Sequence, residues 1–214
     1  MISLGPLDRA EAVRYLGDAR VAMNPDMERL LEECETEVLA AAEPKYLYQV
    51  KTLPRPEFLV GEDISEHLAG CSEVVLFCAT LGAGIDRLLR VSQVTDMSRA
   101  VVIDALSSVA IEQVCASFDR LLAEQFPEKY QTFRFSPGYG DYPLSLQKLF
   151  LTELDAPKKI GLATNDNYLL IPTKSVTAVL GLSDEELPKR RRGCASCNMK
   201  ETCQYRKRGD HCGV

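Results

Sequence analysis

Residues 159–180 read KIGLATNDNYLLIPTKSVTAVL, three short apolar and β-branched runs separated by turn-forming residues. The pattern predicts strands near Lys159 to Ala163 and near Tyr168 to Ile171, then a third over Thr173 to Leu180. Strands joined by connections this short must run antiparallel. The expected fold class is therefore α+β, with an antiparallel or mixed sheet, rather than a doubly wound parallel sheet.

Working outward from that stretch, a short helix is expected near Leu144 to Phe150, and a strand near Gln131 to Phe135 precedes the Pro/Gly-rich loop before it. Met97 to Phe126 is the longest element, a central helix with Ile103, Leu106, Ala110, Val114, Phe118 and Leu121 on its buried face. Glu73 to Thr80 (EVVLFCAT) reads as a buried strand, and Tyr46 to Lys51 alternates like a strand. Flanking helices are marked by their caps. Asp8 with Glu11 forms a capping box for a helix carrying Val13 and Leu16 and stopping at Gly17. Asn24 with Pro25 opens a second, whose stripe is Met27, Leu30, Leu31, Cys34, Val38 and Ala41, with Pro44 beyond its end. There is no internal repeat and no low-complexity tract.

At 214 residues with 46% hydrophobic content, the chain can bury one sizeable core. The expected organisation is one domain over residues 1–188 and a tail over 189–214. The net charge of −6 is unevenly spread: the tail carries eight Lys/Arg against Glu201 and Asp210, so the body holds −12. An acidic body argues against nucleic acid as a partner. The basic tail suits an acidic partner surface, or simply solvates the end of the chain. The first seventeen residues lack the apolar region of a signal peptide, and no run approaches a membrane span, so the expected location is the cytoplasm.

In a reducing compartment clustered cysteines hold metals rather than form disulfides. Four of the eight cysteines lie in the tail as Cys-X2-Cys-X5-Cys-X8-Cys, at Cys194, Cys197, Cys203 and Cys212, with His211 as a spare ligand. Four thiolates suit tetrahedral zinc or an iron–sulfur cluster, and metal-free thiols are the third alternative. The other four cysteines sit in apolar segments and read as core residues.

Two further features bear on chemistry. Gly82-Ala83-Gly84 follows a strand, but position 87 is Arg where a dinucleotide fingerprint needs glycine, so a tight strand-to-helix turn is expected. The loop Arg134-Phe135-Ser136-Pro137-Gly138-Tyr139-Gly140-Asp141-Tyr142-Pro143 has its backbone fixed by two prolines, while two glycines allow close approach. Arg134 is suited to clamping a carboxylate, and Tyr139 and Tyr142 offer flat faces for an adenine or a sulfonium. A merely structural loop is the alternative. His67 and Asp104 are expected at the surface, and Asp63 with Glu66 reads as a helix start.

The Arg134 to Tyr139 run, followed by Ile160-Gly161-Leu162-Ala163-Thr164-Asn165-Asp166-Asn167-Tyr168 and then Pro172-Thr173-Lys174-Ser175-Val176, resembles the activation domain of cobalamin-dependent methionine synthase. The resemblance covers residues 100–180 well and the first hundred loosely. It implies S-adenosylmethionine binding, with Arg134 holding the methionine carboxylate, Pro137, Gly138 and Tyr139 forming the pocket loop, and Tyr168 lining it. It also implies a role as reactivation component for a separately encoded synthase, supporting reductive methylation of cob(II)alamin supplied by that partner. Electrons would come from a donor such as flavodoxin or ferredoxin. In that setting an iron–sulfur cluster would serve as relay, and zinc would instead pin the tail.

This chain departs from the family in three places. Gly140-Asp141-Tyr142-Pro143 replaces Pro-Ala-Cys-Pro, Asn165-Asp166-Asn167 replaces Thr-Glu-Ser, and the family's aspartate near the domain start has no counterpart. The competing function is a metal-containing docking or chaperone module for a corrinoid protein, without methyl transfer. The methyl-transfer reading requires Arg134 and Tyr168 to converge on one cleft.

Overall fold

The computed structural model describes residues 2–16, 24–187 and 201. The Cys194, Cys197, Cys203 and Cys212 cluster and the Gly17 helix stop lie outside the described residues. In chain order the elements are α1 (Arg9–Tyr15), α2 (Pro25–Ala41), β1 (Lys45–Thr52), α3 (Glu62–His67), β2 (Glu73–Thr80), α4 (Ala83–Thr95) and α5 (Met97–Gln125). There follow β3 (Tyr130–Gln131), α6 (Leu146–Glu153), α7 (Ala156–Ile160), β4 (Ala163–Thr164), β5 (Leu170–Ile171) and β6 (Ser175–Ser183).

Four strands form one antiparallel sheet in the order β1-β2-β6-β3, and β4 pairs with β5 as a separate two-stranded ribbon. The α+β class is as the sequence predicts. Alternate residues of β2 and β6 feed two cores on opposite faces of the sheet. Val75, Phe77 and Ala79 face α1, α2, α4 and α5 together with Ala178, Leu180 and Leu182. Val74, Leu76, Cys78 and Val179 face α3, α6, α7 and the ribbon. Helix α5 is long and apolar enough to cross a membrane by length and composition, more so than the sequence reading allowed. Ile103, Leu106, Ala110, Val114 and Phe118 are buried in the first core as expected, but at the C-terminal end Leu122 is buried there in place of Leu121, which is only half-buried.

Several local expectations shift. The strand expected from Lys159 begins instead at Ala163, because Lys159 and Ile160 complete α7, which has Pro157 in its first turn and Gly161 in the left-handed conformation at its end. The third strand of the opening stretch starts at Ser175, since the Thr173 amide is held by Asp86. The strand expected over Gln131 to Phe135 is split into β3 and an isolated bridge, Phe135 to Val179. His67 is not at the surface: it is 4% exposed, its Nε2 lies 2.9 Å from Thr132 Oγ1, and its ring packs on Phe133 and Phe135. That environment comes from a segment sixty-five residues away, which periodicity within a six-residue helix does not reveal. Of the cysteines outside the tail, Cys34, Cys78 and Cys115 are buried and Cys71 is half-buried. Burial pushes the Cys34 thiol up to about 11 and the Cys78 and Cys115 thiols up to about 12.

The Pro/Gly loop is fastened to α3 by two aspartates. Helix α3 has Gly61 at its N-cap and no side-chain cap of its own. Asp141, from the loop, supplies it by accepting the Glu62 and Asp63 amides at 2.6 and 3.1 Å, while Asp63 accepts the Asp141 amide at 2.9 Å. Gly61 and Gly140 are required here, both by positive φ and because a Cβ on either would run into the opposing aspartate. Asp63 is thus a loop anchor as well as a helix-start residue.

Two stability predictions follow from these contacts. Phe118 stacks on Phe77 with ring centroids 4.1 Å apart and also meets Tyr46 and Tyr48. Phe118→Ala is expected to cost about 3–5 kcal/mol in urea unfolding, and a loss under about 1 kcal/mol would contradict the packing. Asp141→Ala should cost about 1–2 kcal/mol through the lost cap, and Asp63→Ala in that background should add less than it does alone. Additive losses in that double-mutant cycle would show that the two aspartates are not one unit.

Candidate functional site

Helix α5 is apolar on the side that meets the sheet, and a line of polar residues, Asp104, Ser108 and Glu112, runs along another side at helical spacing. These three residues wall an open cleft of about 610 Å³ between α1, α4 and α5. Leu89, Ala105 and Ile111 give it an apolar lining, while Tyr15 and Gln93 add a phenol and an amide. The volume is within the range of small-molecule sites.

Both segments singled out in the sequence reach this polar line. From the first, Arg134 donates from Nη2 to Glu112 Oε2 at 3.0 Å and from Nε to Asp119 Oδ2 at 3.2 Å. Its side chain is 16% exposed. Burial disfavours the charged guanidinium, but Cys115, Glu112 and Asp119 outweigh that effect, so its pKa is raised above the ordinary arginine value. From the second segment, Lys174 donates to the Asp104 carbonyl at 3.0 Å and to Ser108 Oγ at 2.9 Å, and pairs with Asp104 Oδ1 at 2.8 Å. The neighbouring Thr173 donates its amide and hydroxyl to Asp86 on α4. Asp104 and Glu112 are two turns apart on α5, a separation of about 12 Å.

None of the five expected cofactor residues is among those lining this cleft: Arg134 touches the lining through its hydrogen bond to Glu112, and Pro137, Gly138, Tyr139 and Tyr168 are not part of it. Tyr139 is 64% exposed at the tip of the loop, where Gly138 donates to the Tyr142 carbonyl and Tyr142 to the Tyr139 carbonyl. Tyr168 sits in the turn between β4 and β5 at φ 60, 39% exposed. Tyr142, expected as a second exposed face, is instead buried against Phe135 and Phe150, and burial pushes its phenol up.

The residues the sequence reading missed are Glu112, Asp119, Ser108 and Lys174. Their signal was the four-residue spacing of Asp104, Ser108 and Glu112 on a helix otherwise dominated by apolar side chains. Asp104 is exposed, as expected, but it is also salt-bridged. Along α5 the three carboxylates Asp104, Glu112 and Asp119 face two cations, Lys174 and Arg134; of these, only Asp104 and Glu112 line the cleft, and each is paired with one cation. The Tyr15 phenol at the same cleft is raised, first by burial and then by the Glu11 and Glu112 carboxylates. Among the described residues, no group of three or more His, Cys, Asp or Glu is placed to hold a metal.

No family model matches this chain, and no curated protein matches it. Among solved structures it is similar to the crystal structure of the MetH reactivation domain bound to AdoHcy, with a TM-score of 0.61 and 14% sequence identity. The match covers 92% of this chain and 76% of that one, and at this identity the likeness is one of fold.

Proposed function

We propose that this chain is a reactivation component for a separately encoded cobalamin-dependent methionine synthase. It binds S-adenosylmethionine in the cleft along α5 and docks on the cobalamin-bearing partner in the cytoplasm, supporting methylation of cobalt as cob(II)alamin is reduced. The observation that carries the reading is the meeting of Arg134 and Lys174, one from each motif segment, on the Asp104, Ser108 and Glu112 line. The likeness of fold to a reactivation domain solved with AdoHcy supports it.

The residues present suit this ligand. A methionine carboxylate needs a guanidinium, and Arg134 is held through Nε and Nη2, so that Nη1 has no partner among the described residues. An α-ammonium and a sulfonium need nearby negative charge, and Asp104 and Glu112 offer carboxylates there, each already paired with Lys174 or Arg134, so that a ligand cation would have to share them. Bound S-adenosylmethionine supplies the electrophilic methyl group. The protein's part is to orient the ligand by its charged ends and to present it to the partner. Met97 and Val101, exposed at the mouth of the cleft, and Val94 beside them offer the partner an apolar edge.

In this proposal the cysteines at 194, 197, 203 and 212 hold either an iron–sulfur cluster that relays an electron from flavodoxin or ferredoxin, or a zinc ion that pins the tail. The competing reading, a docking module without methyl transfer, is favoured by two observations: Arg134 is already engaged by two internal carboxylates, and neither Arg134 nor Tyr168 is among the residues lining the α5 cleft on which they would have to converge.

Isothermal titration decides between them. Wild-type protein is expected to bind S-adenosylmethionine, and Arg134→Ala should weaken binding by about 2 kcal/mol, roughly thirtyfold, with its circular dichroism unchanged. No binding by the wild type would favour the docking module, and unchanged affinity in the variant would remove Arg134 from the site. For the tail, Cys197→Ser in anaerobically purified protein should abolish iron or zinc uptake while S-adenosylmethionine affinity is retained. Loss of both together would show that the tail builds part of the pocket.

A further inference from the structure

Of the polar side chains that line the cleft, all but one are already engaged. Asp104 pairs with Lys174, and Ser108 donates to the Asp104 carbonyl at 3.1 Å while accepting from Lys174. Glu112 accepts from Arg134, and the Tyr15 hydroxyl bonds with Glu11. Gln93 is the exception. It is exposed on α4, and its side-chain amide makes no hydrogen bond with any described residue. An amide carries donors and an acceptor together, a combination that no carboxylate or ammonium on this wall offers.

The cleft has two unlike ends. Gln93 lies just before Asp96, where α4 gives way to α5, and Met97, Ala100 and Val101 line the cleft on the far side of that corner. Leu89, one turn earlier on α4, shares the face of Gln93. This end is therefore apolar, with a single uncommitted amide set into it. Glu112 lies further along α5 by twelve residues from Ala100, about 18 Å at the rise of an α-helix. Arg134 bonds to Glu112 at that second end, where the Glu112 charge also acts on the Tyr15 phenol. A ligand laid along α5 is thus sorted by its chemistry: a charged group goes to the Glu112 end, and a flat apolar ring with a polar edge goes to the Gln93 end.

We propose that Gln93 is a specificity-determining residue, whose side-chain amide pairs with the N6 and N7 edge of the ligand's adenine at the apolar end of the cleft. This rests on the S-adenosylmethionine reading above. A glutamine amide meets the amino donor and the ring-nitrogen acceptor of adenine at once. Hypoxanthine, with an oxygen at the same place, presents two acceptors, of which the amide can satisfy one. A lysine would donate to both.

The ratio of two affinities tests this, measured by titration calorimetry on the full chain with S-adenosylmethionine and its deaminated, inosyl analogue. Wild-type protein is expected to prefer the adenosyl ligand roughly tenfold. Gln93→Ala should abolish the preference by weakening the adenosyl ligand alone, and Gln93→Lys should reverse it. Because a change in fold or in net charge weakens both ligands alike, the ratio reads the contact to the base. Wild-type protein that binds the two ligands equally, or Gln93→Ala protein that keeps the wild-type ratio, would overturn the proposal and leave the functional reading standing. Wild-type protein with no affinity for S-adenosylmethionine would overturn both.

Discussion

The contact between Phe77 of β2 and Phe118 of α5, two rings stacked at 4.1 Å, fixes how the long helix lies on the sheet. A twenty-nine-residue helix can be seated against two central strands in only one rotation without exposing part of its apolar stripe. That rotation also decides where its polar residues go. With Ile103, Leu106, Ala110 and Val114 turned to the sheet, Asp104, Ser108 and Glu112 are turned toward the space between α1 and α4. The core and the cleft are thus two consequences of the same packing, and a substitution that rotated α5 would disturb both.

Most of the framework could be read from the sequence because it is governed by local signals. The Asp8 and Asn24 caps, the β2 boundaries and the extent of α5 each depend on residues within a few positions of one another. The strand expected from Lys159 failed on local signals, Pro157 and Gly161, that mark α7 instead, and other expectations failed where a distant partner decides the outcome. His67 is buried by Thr132, Phe133 and Phe135, and Tyr142 turns inward to pack on Phe150. The candidate site was half legible for the same reason. Arg134 stood out by type and by its loop, but the carboxylates that hold it belong to α5, and their four-residue spacing was hidden among the periodicities of a mostly apolar helix.

Two of the three places where the sequence departs from the methionine synthase pattern share a physical solution. In each, a short acidic or amide side chain binds backbone amides and fixes a loop that glycine and proline alone would leave less constrained. Asp141 caps α3 and holds the Pro137 to Tyr142 loop, and Asn165 closes the turn that carries Tyr168.

Hydrogen–deuterium exchange of the full chain, with and without S-adenosylmethionine, tests the central claim most directly, because it reads all three segments at once without altering any residue. The account predicts that the ligand slows exchange together in the loop around Arg134 to Tyr142, in α5 around Asp104 to Glu112, and in the turn around Asn165 to Ile171. Exchange unchanged by the ligand, or protection confined to a surface away from α5, would contradict it.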